Sequence, residues 1–223
     1  REPIRHLSGG PARRIALRGA SRGERTGPDS MAQSPVPAGL GWACHARKGA
    51  LVAIYAIEDR VPNIDPSAFI HPDAVVIGAV TIGPEASIWP TAVLRGDYGV
   101  ITVGARTSVQ DGTVVHATAT KATTIGADCV IGHNAHLEGC TIEDGSLVGS
   151  GSVVLHDAIV RSGSLVGAGA LVPNGMEVPA RAMALGVPAK LRENAVADGT
   201  FEDGVALYVA NGHRYRAHLR RID

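Results

Sequence analysis

Aliphatic residues recur every six positions along most of this chain. The series runs through Ile64, Ile70, Val76, Ile82, Ile88 and Leu94, then Val103, Val109 and Val115, then Ile125, Ile131 and Leu137, and finally Ile142, Val148, Val154, Val160, Val166, Val172 and Val178. A spacing of six would scatter these side chains around an α-helix, and a half-buried strand alternates every two residues. A regular period of six residues therefore indicates a solenoid, in which short units stack on one another.

Each six-residue unit supplies one short strand and one corner. The aliphatic residue points inward, and a small or compact residue four positions later, such as Ala68 or Ala86, lets the chain turn. Glycine often follows the aliphatic residue, as at Gly83 and Gly126, and glycine suits tight corners. Three units close one triangular coil, and successive coils stack as parallel strands about 4.8 Å apart. The sequence therefore predicts an all-β fold, a left-handed parallel β-helix of hexapeptide repeats.

The two ends of the chain lack this repeat. Residues 1–50 are rich in Arg, Gly, Pro and Ser, and we expect a disordered leader there, although the arginines also suit a transit peptide. The β-helix domain is predicted over 51–190. In the tail, 191–223, seven residues fall roughly on one helical face: Phe201, Val205, Tyr208, Val209, Gly212, Tyr215 and Leu219. This spacing predicts an amphipathic C-terminal helix that covers part of the solenoid.

Charge and cysteine content exclude several classes of protein. Lys+Arg and Asp+Glu are balanced at 21 each, which argues against a nucleic-acid surface or electrostatic binding to a membrane. No apolar run approaches the ~18 residues of a membrane span. Cys44, Cys129 and Cys140 form no CxxC pair, so a disulfide framework is not expected and a cytoplasmic location is predicted.

Residues three units apart lie above one another, and this count brings polar side chains together. The resulting columns are Arg95, His116 and Glu138; Trp89, Gln110 and Gly132; and Pro90, Asp111 and His133. His116 and Glu138 are one strand spacing apart, close enough to share a metal ion. His133 lies on another edge and can join them only from a neighbouring chain of a threefold assembly. Each histidine taken alone fits a solvated or hydrogen-bonded side chain equally well.

Several motifs resemble the γ-class carbonic anhydrase family. They lie between Val61 and Leu191 and comprise Ile88-Trp89-Pro90, Arg95-Gly96-Asp97, Gln110-Asp111-Gly112, Val115-His116, Ile131-Gly132-His133-Asn134, Glu138-Gly139-Cys140 and Gly186-Val187-Pro188-Ala189-Lys190. The resemblance implies a homotrimer with a metal site at each subunit interface. It further implies that zinc, or iron or cobalt, activates a water molecule for the reversible hydration of carbon dioxide to bicarbonate.

The same resemblance assigns roles to individual residues. His116 matches one metal ligand, His133 matches the ligand that a neighbouring chain provides, and Gln110 matches the residue that orients the metal-bound hydroxide. Arg95, Asp97 and Asp111 match the polar network of the subunit interface.

Two departures from the family pattern point to weak activity. Glu138 stands where the family has its third histidine, and His136 lies close enough to replace it as a ligand. Two histidines and a glutamate are a workable zinc set, but the added negative charge makes metal-bound water a poorer acid. The loop 117–124 also lacks the carboxylate that serves as a proton shuttle in better-studied members of the family.

Two other functions fit the same repeat. A hexapeptide acyltransferase would use acyl-CoA, with His116 as general base and no metal. A non-catalytic trimeric scaffold that binds small molecules would explain both departures. The sequence alone favours a carbonic-anhydrase-like lyase over these two alternatives.

Overall fold

The structure is a computed structural model that describes residues 52–223. The predicted leader, 1–50, lies outside the described residues. The described part comprises strands β1 (Ala53–Tyr55), β2 (Asn63–Ile64), β3 (Phe69–Ile70), β4 (Val75–Ile82), β5 (Ser87–Ile88), β6 (Val93–Val103), β7 (Ser108–Val109), β8 (Val114–His116), β9 (Thr123–Ile125), β10 (Val130–Ile131), β11 (His136–Glu138), β12 (Thr141–Ile142), β13 (Leu147–Val148), β14 (Val153–Val154), β15 (Ile159–Val160), β16 (Leu165–Val166), β17 (Leu171–Val172), β18 (Glu177–Val178), β19 (Met183–Leu185) and β20 (Lys190–Arg192), followed by helix α1 (Glu202–His218).

The strands form a parallel β-solenoid of about seven turns, which confirms the predicted fold class. Strands inside the stack pair with the strand three units earlier and the strand three units later, so that β8 lies between β6 and β11. β4 and β6 each continue through one corner, and β6 contains the nine-residue interval between Leu94 and Val103, which is three residues longer than the repeat. The final pair, β19 and β20, is antiparallel.

The predicted aliphatic series fills the interior. Every member from Val76 to Val178 is at most 1 % exposed. Ile64 and Ile70, in the first coil, are partly buried and pack against this core. Burial of such side chains contributes about 1.5–3 kcal/mol each relative to exposure, and the stack spreads this stabilisation evenly over the coils.

Buried hydroxyl groups at the corners tie neighbouring coils together. The Thr113 hydroxyl donates to the carbonyl of Gly132 at 2.8 Å, and the Thr107 hydroxyl donates to that of Gly126 at 2.6 Å. The corner backbone leaves the strand ladder, so these bonds give its buried carbonyls hydrogen-bond partners on the neighbouring coil.

The three outward faces of the prism differ in polarity. One carries a ladder of Thr81, Thr102, Thr124 and Thr141. A second face is covered by α1 over its first coils, at β3, β5 and β7. The third, which we call the valine face, stacks Val75, Val93, Val114, His136, Val153 and Leu171. His136 is the polar member of that otherwise apolar column.

Aromatic residues anchor α1 to the solenoid. Trp89 lies 5.8 Å from Tyr208 and 5.1 Å from Tyr215, measured between ring centroids. Its indole N–H donates to the buried Ser87 and Ser108 hydroxyls at 3.0 and 2.9 Å. The predicted C-terminal helix is therefore confirmed as a cover for the solenoid, although Leu219 follows its last residue and is exposed. No helix within 52–223 is long and apolar enough to cross a membrane.

The two cysteines among the described residues are free thiols inside the core. Cys129 and Cys140 are both buried, and burial raises the pKa of each thiol to about 12. They act as small apolar residues of the core rather than as nucleophiles.

Replacing Val154 with Asp tests the inward register. Val154 is fully buried, so an unpaired carboxylate there should lower the free energy of unfolding by about 3–5 kcal/mol. Thr124→Asp is the control, since it adds the same charge to the exposed threonine ladder. Equal midpoints for the two variants in denaturant titrations would contradict the register.

Candidate active site

Arg95, His116 and Glu138 stack in one column beside the valine face. In β6, β8 and β11 the backbone pairing places Arg95 beside His116, and His116 beside Glu138. The inward residues Leu94, Val115 and Leu137 precede them and are fully buried. The polar column is therefore held by three rigid strands rather than by loops.

Glu138 is surrounded by three imidazole rings. Its Oε1 lies 2.9 Å from Nδ1 of His116 and 3.5 Å from Nε2 of His156, and its Oε2 lies 3.3 Å from Nε2 of His136. The hydrogen bond with His116, followed by the contacts with His136 and His156, holds the pKa of Glu138 below its usual value against the opposing effect of burial. Glu138 is therefore a carboxylate at neutral pH, able to orient an imidazole.

A second carboxylate faces the other side of the His116 ring. Nε2 of His116 lies 3.4 Å from Oδ1 of Asp97, and Oδ2 of Asp97 accepts a 2.6 Å hydrogen bond from Arg95. Burial alone would raise the pKa of Asp97, but the hydrogen bond and charge of Arg95 lower it on balance. Nε2 of His116 is buried and has no hydrogen-bond partner within the described residues.

His156 belongs to this cluster, and the sequence analysis missed it. The position of His156 follows when the stacking count is extended by one coil. Leu137 pairs with Val154, so Gly139 lies beside His156. A Cβ added to Gly139 would lie 2.8 Å from Cδ2 of His156 and 2.9 Å from Cβ of Lys121. Gly139 therefore leaves the space through which Lys121 passes to pair with Asp157.

The residues of the neighbouring columns lie at another corner. His133 contacts Asp111 there, with 2.9 Å between Nδ1 and Oδ2. Gln110 is 4 % exposed and stacks between Trp89 and Gly132. Within one chain, His116, His136 and Glu138 therefore come together, whereas Gln110, Asp111 and His133 form a separate group.

The clustered side chains do not form a metal site within one chain. Among residues 52–223, no three His, Cys, Asp or Glu side chains are arranged to hold a metal ion. Both Glu138 oxygens are engaged by imidazole nitrogens, and His116 turns Nδ1 rather than Nε2 towards the carboxylate. The donor set of a single chain fits a hydrogen-bonded cluster better than a ligand shell.

Comparison with known proteins identifies the family. Residues 122–156 match the model of the bacterial transferase hexapeptide (six repeats). The carnitine operon protein CaiE of Escherichia coli K12 is 39 % identical over 147 residues, which cover 66 % of this chain and 75 % of CaiE. The chain belongs to the CaiE-like hexapeptide-repeat family. CaiE of Proteus is 44 % identical over 139 residues, covering 62 % of this chain and 71 % of that protein.

Solved structures agree with this family and with its left-handed β-helix. A hexapeptide transferase family protein from Anaplasma phagocytophilum is 35 % identical with a TM-score of 0.69, covering 73 % of this chain and 98 % of that one. A Bacillus cereus protein provisionally described as an acetyltransferase is 33 % identical with a TM-score of 0.72, covering 74 % and 98 %. None of these relatives is described as a carbonic anhydrase, a lyase or a zinc protein, so the γ-class resemblance is not confirmed.

Gly139→Ala tests the packing of the imidazole cluster. Gly139 has a φ of +60° and Gly145 one of +65°, so an alanine at either position carries about 1–2 kcal/mol of backbone strain. The Cβ at position 145 meets nothing within 4 Å, which makes Gly145→Ala the matched control. Gly139→Ala should lower the free energy of unfolding by roughly a further 1–3 kcal/mol through overpacking.

Adding His156→Ala to Gly139→Ala should recover part of that loss in denaturant titrations, because it removes one of the two clashing side chains. Equal losses in the two glycine variants would mean that His156 and Lys121 do not pack against Gly139.

Proposed function

We propose that this protein is an acyltransferase that moves an acyl group from acyl-CoA to the hydroxyl or amino group of a small acceptor, with His116 as general base. The observation that carries the proposal is the 2.9 Å contact between Nδ1 of His116 and Oε1 of Glu138. It supports the tautomer in which Nδ1 carries the proton and Nε2 is the base, an assignment that rests on the hydrogen-bond network.

The reaction needs only the residues already described. Nε2 of His116 accepts the acceptor's proton as the acceptor attacks the thioester carbonyl. The C–S bond then breaks as the new C–O or C–N bond is completed, and the imidazolium returns its proton to the CoA thiolate. Glu138 stabilises the positive charge that forms on the ring, as a carboxylate does when hydrogen-bonded to a catalytic histidine.

Access to the base depends on Asp97. Nε2 is covered in the single chain, and Oδ1 of Asp97 is its near neighbour at 3.4 Å. An acceptor reaches Nε2 when that carboxylate moves aside. Arg95, which holds Asp97 through a 2.6 Å hydrogen bond, therefore acts as a positioning residue in this proposal.

Assembly as a homotrimer is part of the proposal. Hexapeptide-repeat proteins typically form trimers, and the valine face offers an apolar surface that a second copy of the chain can cover. The His116–Glu138 column borders that face, so the active site would lie at the subunit boundary. The transferase descriptions of the relatives support acyl-CoA as the donor.

A carbonic-anhydrase-like metalloprotein is the second candidate. It is favoured by the position of His116 beside Arg95 and Asp97, residues that match the γ-class motifs, with Glu138 at the place of that family's third histidine. Its ligand shell would comprise His116, Glu138 or His136, and His133 of a neighbouring chain. Zinc, iron or cobalt bound there would supply Lewis acidity for carbon dioxide hydration.

His116→Ala tests the acyltransferase proposal. With acyl-CoA and a panel of small amines and alcohols, release of free CoA thiol should fall by about 10²–10⁴-fold, since the base is lost. Glu138→Gln keeps a hydrogen-bond acceptor without its charge and should cost about tenfold. His213→Ala, on the exposed surface of α1, is the control and should leave turnover unchanged.

His133→Ala and metal analysis decide between the candidates. Acyl transfer should survive His133→Ala, whereas a shared metal site should lose its ion. Stoichiometric metal that depends on His133 and His116, together with carbon dioxide hydration that increases in Glu138→His, would establish the second candidate. Absence of both acyl transfer and metal would leave the non-catalytic scaffold.

Replacing Val114 with Glu tests the trimer. Val114 is 36 % exposed in the single chain, so the new charge is tolerated by the fold but opposes burial of the valine face between subunits. Light scattering should give the mass of three chains for the parent protein and of one chain for the variant. Thr124→Glu is the control, and a Val114→Glu protein that keeps the mass of three chains would place the interface elsewhere.

A further inference from the structure

A groove runs between α1 and one corner of the solenoid, away from the His116 column. It encloses about 620 Å³, a volume within the range of small-molecule sites. Val205, Ala206, Val209 and Ala210 of α1 form one wall, and this wall is mostly apolar. The groove plays no part in the proposed acyl transfer.

The depth of the groove comes from two glycines in a stack of charged corner residues. The stack comprises Arg106, Asp128, Gly145, Gly163 and Arg181, each linked by a backbone hydrogen bond to the coil before it. All five have positive φ values, between +55° and +65°, so this corner accepts residues other than glycine. A Cβ on Gly145 would meet open space. The missing side chains at Gly145 and Gly163 therefore leave a gap between Asp128 and Arg181.

The rim of the groove has an excess of negative charge. Arg106 is neutralised by Asp128, with 2.7 Å between Nε and Oδ1, and Arg181 by Asp198, at 2.9 Å. Asp144 and Glu202 have no cationic partner within 52–223. Among the described residues, the Asp144 carboxylate accepts a hydrogen bond only from the Ala127 N–H, at 2.8 Å. The positive end of α1 offsets part of the Glu202 charge, which leaves Asp144 as the stronger anchor for a cation.

We infer that this groove binds a small organic cation with a slender apolar body. The ammonium group pairs with Asp144 and Glu202, and the apolar body lies over Gly145 and Gly163 against Val205 and Val209. An anion of the same shape is disfavoured, because both arginines are already paired and the remaining charges are negative. Charge complementarity together with the apolar wall therefore selects an amphipathic cation.

Calorimetry on the full chain with n-octylammonium and n-octanoate tests the inference. The two probes share an apolar body and differ in the sign of the head group. Saturable binding of octylammonium, with octanoate at least tenfold weaker, is the expected result. The inference is wrong if octylammonium shows no saturable binding or if the two probes bind equally. It is also wrong if another part of this chain or a second copy fills the groove, because octylammonium then does not bind.

Variants of the groove locate the binding. Ala206→Trp fills the groove from its helical wall and should abolish octylammonium binding, whereas Leu207→Trp, one residue along and exposed, should not. Asp144→Asn keeps the acceptor for Ala127 and should weaken binding about two- to fivefold. Glu202→Gln should weaken it less. Octylammonium affinity that Ala206→Trp leaves unchanged would refute the site.

Discussion

Parallel pairing of strands one full coil apart sets the core of this protein and the columns of side chains on its surface. The pairing keeps the aliphatic residues in register inside the prism, and it also keeps the outward residues in register. A column of side chains about one strand spacing apart then follows without any loop to position it. Arg95, His116 and Glu138 form such a column, and the corner stack that borders the groove at α1 forms another.

The column gives one carboxylate several imidazole neighbours. Glu138 accepts from His116 along the stack, lies beside His136 on its own strand, and faces His156 of the next coil. A histidine at position 138 would have offered a neutral nitrogen there. The carboxylate instead lies against Nδ1 of His116, which holds the ring in one orientation with Nε2 directed towards Asp97. In the proposed acyltransferase, this orientation leaves Nε2 as the nitrogen that serves as general base.

The repeat made the fold and the first site column predictable, because a six-residue period maps onto stacked coils by counting. His116 over Glu138 and Asp111 beside His133 follow from that count. His156 was missed because the count stopped one coil early, and because its approach depends on Gly139, whose missing side chain carries no periodic signal. The groove at α1 was also beyond sequence reasoning, since it depends on where a helix lies relative to a distant corner.

The valine face and the corner beside α1 differ in how much of each site the solenoid alone determines. On the valine face, the backbone pairing fixes which side chains are neighbours. A change at one position, such as Glu138, therefore alters the chemistry of a ring one coil away. At the α1 corner, the solenoid supplies only a gap at Gly145 and Gly163, and the helix supplies the wall. Since α1 is held by Trp89, Tyr208 and Tyr215 rather than by the corner itself, the groove can change its occupant through the helix sequence while the coils, and the His116 column, stay the same.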